Sequence, residues 1–241
     1  MLVTDNLNWG EHIQKCINKA NSSMAWVSRT MISREKEVMK TLYKSLVRPH
    51  LEYCVQLWSP NPRFGNWKVI LDIEHVQRKF TCLIEGIGTM TYRERLNKLS
   101  LTTLLERRVR GDLIETYKIV NGVVNYGQEF FQVTNAKKLI APINKGKFTQ
   151  SKADFFSRRV IRYWNKLPFN VKNSPSVNCF KARLEDFKKK SMSNPYNKSN
   201  GNFWELSEDI FSRIKDGNRK SHIDYLLNHP FVAKRRGINI H

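Results

Sequence analysis

The stretch from Lys40 to Trp58, KTLYKSLVRPHLEYCVQLW, predicts the helical core around which the chain folds. Val38, Leu42 and Leu46 recur at the spacing of one helical face, so we expect an amphipathic helix here. Pro49 lacks a backbone N–H, and the helix should kink or restart at that position. The face that we expect to be buried comprises Val38, Leu42, Leu46, Val47, Tyr53, Leu57 and Trp58.

Two further amphipathic helices flank this stretch. Glu11–Met31 carries apolar residues at alternating spacings of three and four, as one buried helical face requires. Asn66–Ile84 shows the same pattern, and Gly86 and Gly88 after it favour a helix end. Together with a helix over Arg34–Leu57, these segments predict a three-helix bundle in a mainly α-helical fold.

The rest of the chain also shows mostly helical patterns, in three predicted segments. Residues 1–88 form a strand remnant (Met1–Thr4) and the bundle, residues 89–190 a basic helical region, and residues 191–241 a linker and helical tail. A serine, Ser174 or Ser176, is expected to cap one helix, with Pro175 in its first turn. The other helices expected beyond the bundle are Thr91–Lys98, Leu101–Val120, Ala153–Lys166, Phe203–Lys215 and Asn218–Asn228.

The net charge of +21 indicates an acidic partner. More than half of the excess lies in residues 134–190, which contain 15 Lys and Arg against 3 Asp and Glu. A local excess of this kind is typical of a nucleic-acid-binding surface, and an anionic membrane surface is the alternative. Within it we interpret Thr134–Ser151 as a lysine-rich loop, because Pro142 and Gly146 interrupt the few apolar residues.

The candidate nucleic-acid contacts lie on two helices and in this loop. Lysines of the loop would contact phosphates as point charges, without reading the sequence. Arginines on the polar face of Leu101–Val120 fit either such a contact or a solvated surface. Phe156, Val160 and Trp164 are expected to face the core with the neighbouring cations outside, and Tyr163 fits core packing or base stacking equally. The candidates are Arg107, Arg108, Arg110, Lys137, Lys138, Lys145, Lys147, Lys152, Arg158, Arg159, Arg162 and Lys166.

Cysteine spacing and hydropathy bear on the compartment. Cys16, Cys54, Cys82 and Cys179 are widely separated, so we expect reduced thiols and neither a disulfide framework nor a zinc finger. His12 and Cys16 lie one helical turn apart, a spacing that fits a satisfied histidine beside a buried thiol better than a metal site. No apolar run approaches about 18 residues, and Met1–Gly10 lacks a signal-peptide pattern. We therefore predict an intracellular protein, nuclear or cytoplasmic, without membrane association.

Five sets of residues resemble, in the same order, the part of non-LTR retrotransposon reverse transcriptases that follows the polymerase core, those of jockey-like elements especially. Together they cover roughly residues 1–190. They are Val3–Trp9 with Glu11–Ile13, Leu46–Tyr53 with Trp58, Tyr117–Gly122, Phe155–Phe156 with Trp164–Pro168, and Ser174–Val177 with Phe180–Leu184.

The resemblance implies the thumb and downstream region of an RNA-directed DNA polymerase, which grips the template–primer duplex and helps to bind element RNA. The intact parent enzyme would hold Mg²⁺ through adjacent aspartates, but this chain contains no Asp-Asp pair. Glu185-Asp186 and Glu208-Asp209 lie on predicted helices, where neighbouring side chains diverge by about 100° and cannot share a metal. We therefore expect a catalytically incomplete fragment without a cofactor of its own, which binds RNA or an RNA–DNA duplex.

Two alternatives stay open. The chain is also consistent with a decayed reading frame that has no selected function. A third hypothesis is a protein-interaction module centred on residues 191–241, in which we recognise no family.

Overall fold

The structure is a computed structural model that describes residues 9–62, 66–140, 154–193 and 205–214. It confirms the mainly α-helical fold. The predicted strand Met1–Thr4, the helix Asn218–Asn228 and most of the predicted linker lie outside the described residues. The helices are α1 (Gly10–Thr30), α2 (Lys36–Leu42), a π turn (Tyr43–Val47), α3 (Arg48–Glu52), α4 (Val55–Trp58), α5 (Trp67–Cys82), α6 (Tyr92–Leu99), α7 (Leu104–Val120), a 3-10 turn (Gln128–Phe130), α8 (Phe156–Arg159), α9 (Ile161–Lys166), α10 (Phe169–Lys172), α11 (Val177–Ser193) and α12 (Glu205–Arg213).

The chain divides into two compact units that are not contiguous in sequence. The first unit comprises Met1–Tyr53, Trp67–Leu104 and Asp209–His241, and the second comprises Cys54–Asn66 and Leu105–Glu208. The three segments predicted from the sequence stay a prediction about how the chain is organised.

In the first unit, α1 packs against α3, the π turn and α5, as expected for a helical bundle. Ala20 and Val27 on α1 are completely buried, as is Phe80 on α5. Small and β-branched side chains on α1 let the larger residues of the neighbouring helices approach closely, which favours tight packing.

The helix restarts at Pro49, as predicted, and it does so through a π turn. The backbone N–H of Arg48 bonds to the carbonyl of Tyr43, five residues earlier, and α3 begins there with Pro49 in its first turn. Because proline has no N–H to return to the preceding turn, the wider hydrogen-bond spacing is tolerated immediately before it.

The buried face of this helix differs from the predicted one. Met39, Tyr43, Val47 and Leu51 are each at most 1% exposed. A four-residue spacing drifts by about 40° per step on an α-helix, and the π turn, which rotates less per residue, offsets this drift. The prediction is therefore wrong for Val38, Leu46, Tyr53 and Leu57, which are exposed, and correct for Val47 and Trp58, which are buried.

A buried polar network joins α5 to α6, to the start of α7 and to the π turn. The Glu74 carboxylate, 1% exposed, accepts hydrogen bonds from the Tyr92 hydroxyl at 2.5 Å and from the Leu104 backbone N–H at 2.9 Å. Gln77 donates to Tyr92 at 2.8 Å and accepts from the Tyr43 hydroxyl at 2.6 Å. Burial and the neighbouring Glu74 carboxylate raise the pKa of Tyr92 well above its ordinary value. Tyr92 therefore stays protonated and donates.

The predicted short helix after Gly88 is α6, and a capping box starts it. The backbone N–H of Glu94 donates to the Thr91 hydroxyl, and the Glu94 carboxylate accepts from the Thr91 backbone N–H at 2.8 Å. These reciprocal bonds satisfy donors that the first helical turn leaves free.

In the second unit, aromatic residues form the centre of the core. The Tyr117 ring stacks on Phe180 with centroids 4.5 Å apart, and Trp164 lies 6.1 Å from the same ring. Trp164 is completely buried, which confirms its predicted core position. Gly122, at φ +66°, ends α7 in the predicted left-handed cap, with the Val123 N–H bonding back to the Lys118 carbonyl.

Two local predictions in this unit need correction. Thr134–Ser151 was expected to be a loop, and this is wrong for Leu139–Ile140 (β2), which pairs antiparallel with Gln132–Val133 (β1) and buries Leu139 in the core; residues 141–151 lie outside the described residues. Pro175 was expected in the first turn of α11. It precedes the cap instead, because Ser176 accepts the Cys179 N–H at 3.2 Å and the helix starts after it.

Candidate nucleic-acid interface

A short hairpin is bound to helix α9 by two adjacent side chains. The Trp164 indole Nε1 donates to the Lys137 carbonyl at 2.8 Å. Asn165 accepts the Leu139 N–H at 2.8 Å and donates to the Leu139 carbonyl at 2.9 Å. Lys138, between these two anchored residues, therefore has a fixed backbone position beside α9.

Three cations lie on the two elements that meet at this junction, and we name them the basic surface: Lys138, Arg162 and Lys166. Lys138 and Arg162 are exposed, and Lys166 is half-buried on the same helix as Arg162. Burial and the nearby Arg162 guanidinium lower the pKa of Lys166, with Glu205 acting in the opposite direction. The two cations are therefore close enough to repel each other, which favours a bound anion.

The Lys137 ammonium donates hydrogen bonds to neutral side chains within the fold. Its backbone adopts φ +51° in the hairpin turn, and its ammonium donates to the side-chain oxygens of Asn121 and Asn173, the latter at 2.9 Å. Much of the hydrogen-bonding capacity of the Lys137 ammonium is therefore used within the fold.

Arg159 was expected in solvent, and this prediction is wrong. The residue is 6% exposed, and its guanidinium forms a bidentate ion pair with Asp112, at 2.8 Å for Nε–Oδ2 and 3.0 Å for Nη2–Oδ1. It also donates to the carbonyls of Asp154 and Val55 at 2.6 and 3.0 Å. A guanidinium satisfied on all sides in the core stabilises the fold and is not available to a phosphate.

The predicted arginine face of α7 is also not a uniformly solvated surface. Arg108 is 2% exposed and lies 4.9 Å from the centre of the Trp58 ring. Arg110 pairs with Glu185 at 2.7 Å, and Arg107 is half-buried. The sequence pattern predicted the helix correctly, but it did not reveal that residues distant in the chain cover this face.

The other candidates have mixed outcomes. Arg158 is half-buried on α8. Lys145, Lys147 and Lys152 lie outside the described residues, so their contacts stay a prediction. Tyr163, which fitted two roles, is 6% exposed and belongs to the core.

Two residues of this region were not singled out from the sequence. Asn165 is part of the Trp164–Pro168 segment, but nothing in a single sequence shows that its amide fixes a hairpin 26 residues away. Lys172 is 3% exposed and donates to the Asn165 carbonyl at 3.3 Å. Burial, followed by the charge of Lys138, lowers its pKa. In a basic region, a single sequence gives no signal that distinguishes a buried lysine from an exposed one.

Groups capable of acid–base or metal chemistry are dispersed. In the part of the chain that the structure describes, no three His, Cys, Asp or Glu residues come together as a metal site. His12 lies 3.5 Å from the Cys16 thiol, the contact expected from their spacing, but the thiol is half-buried where a buried one was predicted. Burial lowers the pKa of His12. All four cysteines carry free thiols. No described helix has the length and apolar character needed to cross a membrane.

No family model, curated protein or solved structure matches the chain. The resemblance to reverse transcriptases therefore stays a prediction based on the segments quoted above.

Proposed function

We propose that this chain binds RNA or an RNA–DNA duplex through the phosphate backbone, as a catalytically incomplete relative of non-LTR retrotransposon reverse transcriptases. The observation that carries the proposal is the basic surface, where three cations project from a hairpin and a helix that Trp164 and Asn165 bind together. Among the described residues, none of these cations forms an ion pair. Their charges are therefore available to a ligand.

Contacts to phosphate fit this surface better than contacts to bases. Tyr163 and Trp164, the aromatic residues of α9, are buried and present no ring on which a base can stack. Lys138 and Lys166 provide point charges, and Arg162 provides a planar fork that suits phosphate oxygens. Such contacts fix a nucleic acid in position and are largely independent of its sequence.

Charge reversal on the basic surface tests the proposal. The test variant is Lys138→Glu, Arg162→Glu and Lys166→Glu together, and the measured quantity is the dissociation constant for an RNA–DNA primer–template. The matched control is Lys15→Glu, Lys19→Glu and Lys44→Glu, three exposed lysines of the first unit, with the same change in net charge.

We expect the basic-surface variant to bind at least about 100-fold more weakly than wild type, since three charge-assisted contacts are replaced by repulsion. The control should lose much less, because distant charges act through a screened potential. Equal losses in the two variants would show that net charge alone drives binding, and the basic surface would then not be the interface.

A further inference from the structure

A group of lysines that includes Lys138 of the basic surface contains more positive charge than the described carboxylates neutralise. Lys172 is 3% exposed, and its ammonium makes one hydrogen bond within the described residues, to the Asn165 carbonyl at 3.3 Å. An ammonium has three donors, so two have no described acceptor. Lys138 is close enough to lower the pKa of Lys172.

Neutral amide side chains lie among these lysines. Asn121 donates to the Lys172 carbonyl at 3.4 Å and accepts from the Lys137 ammonium, which also bonds to Asn173 at 2.9 Å. These bonds bring the Lys137 ammonium close to the backbone of Lys172, and the charge of Lys138 acts on the Lys172 ammonium. None of the three forms an ion pair with a described carboxylate.

The residues outside the described ranges offer few counter-ions. Residues 141–153 contain no Asp or Glu, and the acidic side chains outside the described ranges are Asp5, Asp216 and Asp224. Burying an ammonium without an opposite charge is costly, and folded proteins usually compensate it with a paired group or a bound anion.

We propose that Lys172 and Lys138, flanked by Lys137, form a binding site for a phosphate group. The buried Lys172 ammonium contacts the phosphate from the protein side, and the exposed Lys138 contacts the phosphate oxygens that face solvent. Lys172 also contacts the carbonyl at the end of α9, which orients its ammonium. This site does not depend on the proposed nucleic-acid function, because a phosphate ion alone is a sufficient ligand.

The test is a titration of the full chain with inorganic phosphate by isothermal calorimetry, at an ionic strength held constant with chloride. We expect Lys172→Met to weaken phosphate binding by about 10- to 100-fold, the effect of losing a hydrogen bond from a charged donor. Lys138→Met, at an exposed position, tests the same site without disturbing the core. Lys15→Met is the matched control, and it should bind phosphate as wild type does.

Two results would overturn the site: wild type that binds no phosphate, or Lys172→Met and Lys138→Met variants that both bind it with wild-type affinity. Repeating the comparison with the primer–template identifies the source of the phosphate. If both variants also bind the primer–template more weakly, the site takes a backbone phosphate. If they lose only inorganic phosphate, the site takes a free phosphate, Lys138 is no longer counted among the nucleic-acid contacts, and the proposed function then rests on Arg162 and Lys166.

Discussion

Replacing Arg159 by methionine is expected to destabilise the second unit without removing a nucleic-acid contact. The substitution keeps an unbranched apolar stem of similar reach and removes the guanidinium. Asp112, which is 2% exposed, then loses both of its hydrogen bonds to Arg159. Burial already raises the pKa of this carboxyl, and Arg159 is the main group that opposes the rise. Without Arg159, the carboxylate is a buried charge without its partner.

Breaking one side of a buried ion pair costs about 3–5 kcal/mol. That is a large share of the roughly 5–15 kcal/mol by which most proteins are stable. For a chain of this size, each kcal/mol corresponds to about 2–4 °C in the unfolding midpoint. The Arg159→Met variant should therefore melt about 6–20 °C below wild type.

The assay is thermal and urea unfolding followed by circular dichroism, with Arg162→Met as the matched control. Arg162 is an exposed arginine on the adjoining helix, so its loss should change stability by less than about 0.5 kcal/mol. Adding Asp112→Leu to Arg159→Met should recover part of the lost stability, because the buried carboxylate that Arg159 leaves unpaired is then absent; Arg108, which also interacts with Asp112, limits the recovery. If Arg159→Met unfolds like wild type, the interpretation of Arg159 as a buried structural cation is refuted.

The other predictions concern three local features: the cap of α6, the end of α7 and the hairpin beside α9. Thr91→Ala should cost about 1 kcal/mol by urea unfolding, as the loss of a helix cap does. Hydrogen bonds from the Thr91 backbone and hydroxyl lower the pKa of Glu94 below its ordinary 4.5. This carboxylate therefore stabilises the fold above pH 4.5, and the stabilisation is lost as the pH falls through the lower pKa of the folded state. The stability of Glu94→Gln should depend less on pH between about pH 7 and pH 3 than that of wild type. An unchanged pH profile would contradict this. Gly122→Ala should destabilise by about 1–2 kcal/mol, because alanine is strained at φ +66°. The control is Gly111→Ala within α7, where an added Cβ meets nothing within 4 Å. It should stabilise the protein by about 0.5–1 kcal/mol. If both variants changed the free energy of unfolding in the same direction, the backbone argument would be refuted. Asn165→Ala should speed hydrogen exchange of the Leu139 N–H, which donates to the Asn165 side chain. The variant should also bind the primer–template more weakly, because the position of Lys138 is then less fixed. Exchange protection of the Leu139 N–H equal to wild type would show that the Asn165 side chain does not hold the hairpin.

The helices were predictable because each helix buries one face, and the apolar residues of that face recur every three or four positions in the sequence. Gly10–Thr30 and Trp67–Cys82 lie within one or two residues of the predicted bounds. The choice of face was less certain for the helix before Pro49, where Val38 and Met39 begin equally regular apolar runs. The π turn that brings the second run into the core depends on hydrogen bonding that composition does not reveal.

The candidate site was predicted in part, and the errors share one cause. Arg108, Arg159 and Arg162 are the same residue type on amphipathic helices, but two are buried and one is exposed. Arg159 is buried where it pairs with Asp112, 47 positions away, and Arg108 is buried against the ring of Trp58. Contacts between distant parts of a chain are not encoded in local spacing, so the sequence predicts where charge accumulates but not which charges reach solvent.

The most direct test of the basic surface is the salt dependence of primer–template binding. Lys138, Arg162 and Lys166 are changed together to glutamine, and affinity is measured over a series of salt concentrations for this variant, for wild type and for a Lys15, Lys19 and Lys44 to glutamine control. Each phosphate contact contributes roughly 0.7–0.9 to the slope of log affinity against log salt. We predict that the basic-surface variant loses about 2–3 from the slope while the control keeps the wild-type value. A slope that is unchanged in the basic-surface variant would contradict the proposal that these three side chains hold the phosphate backbone.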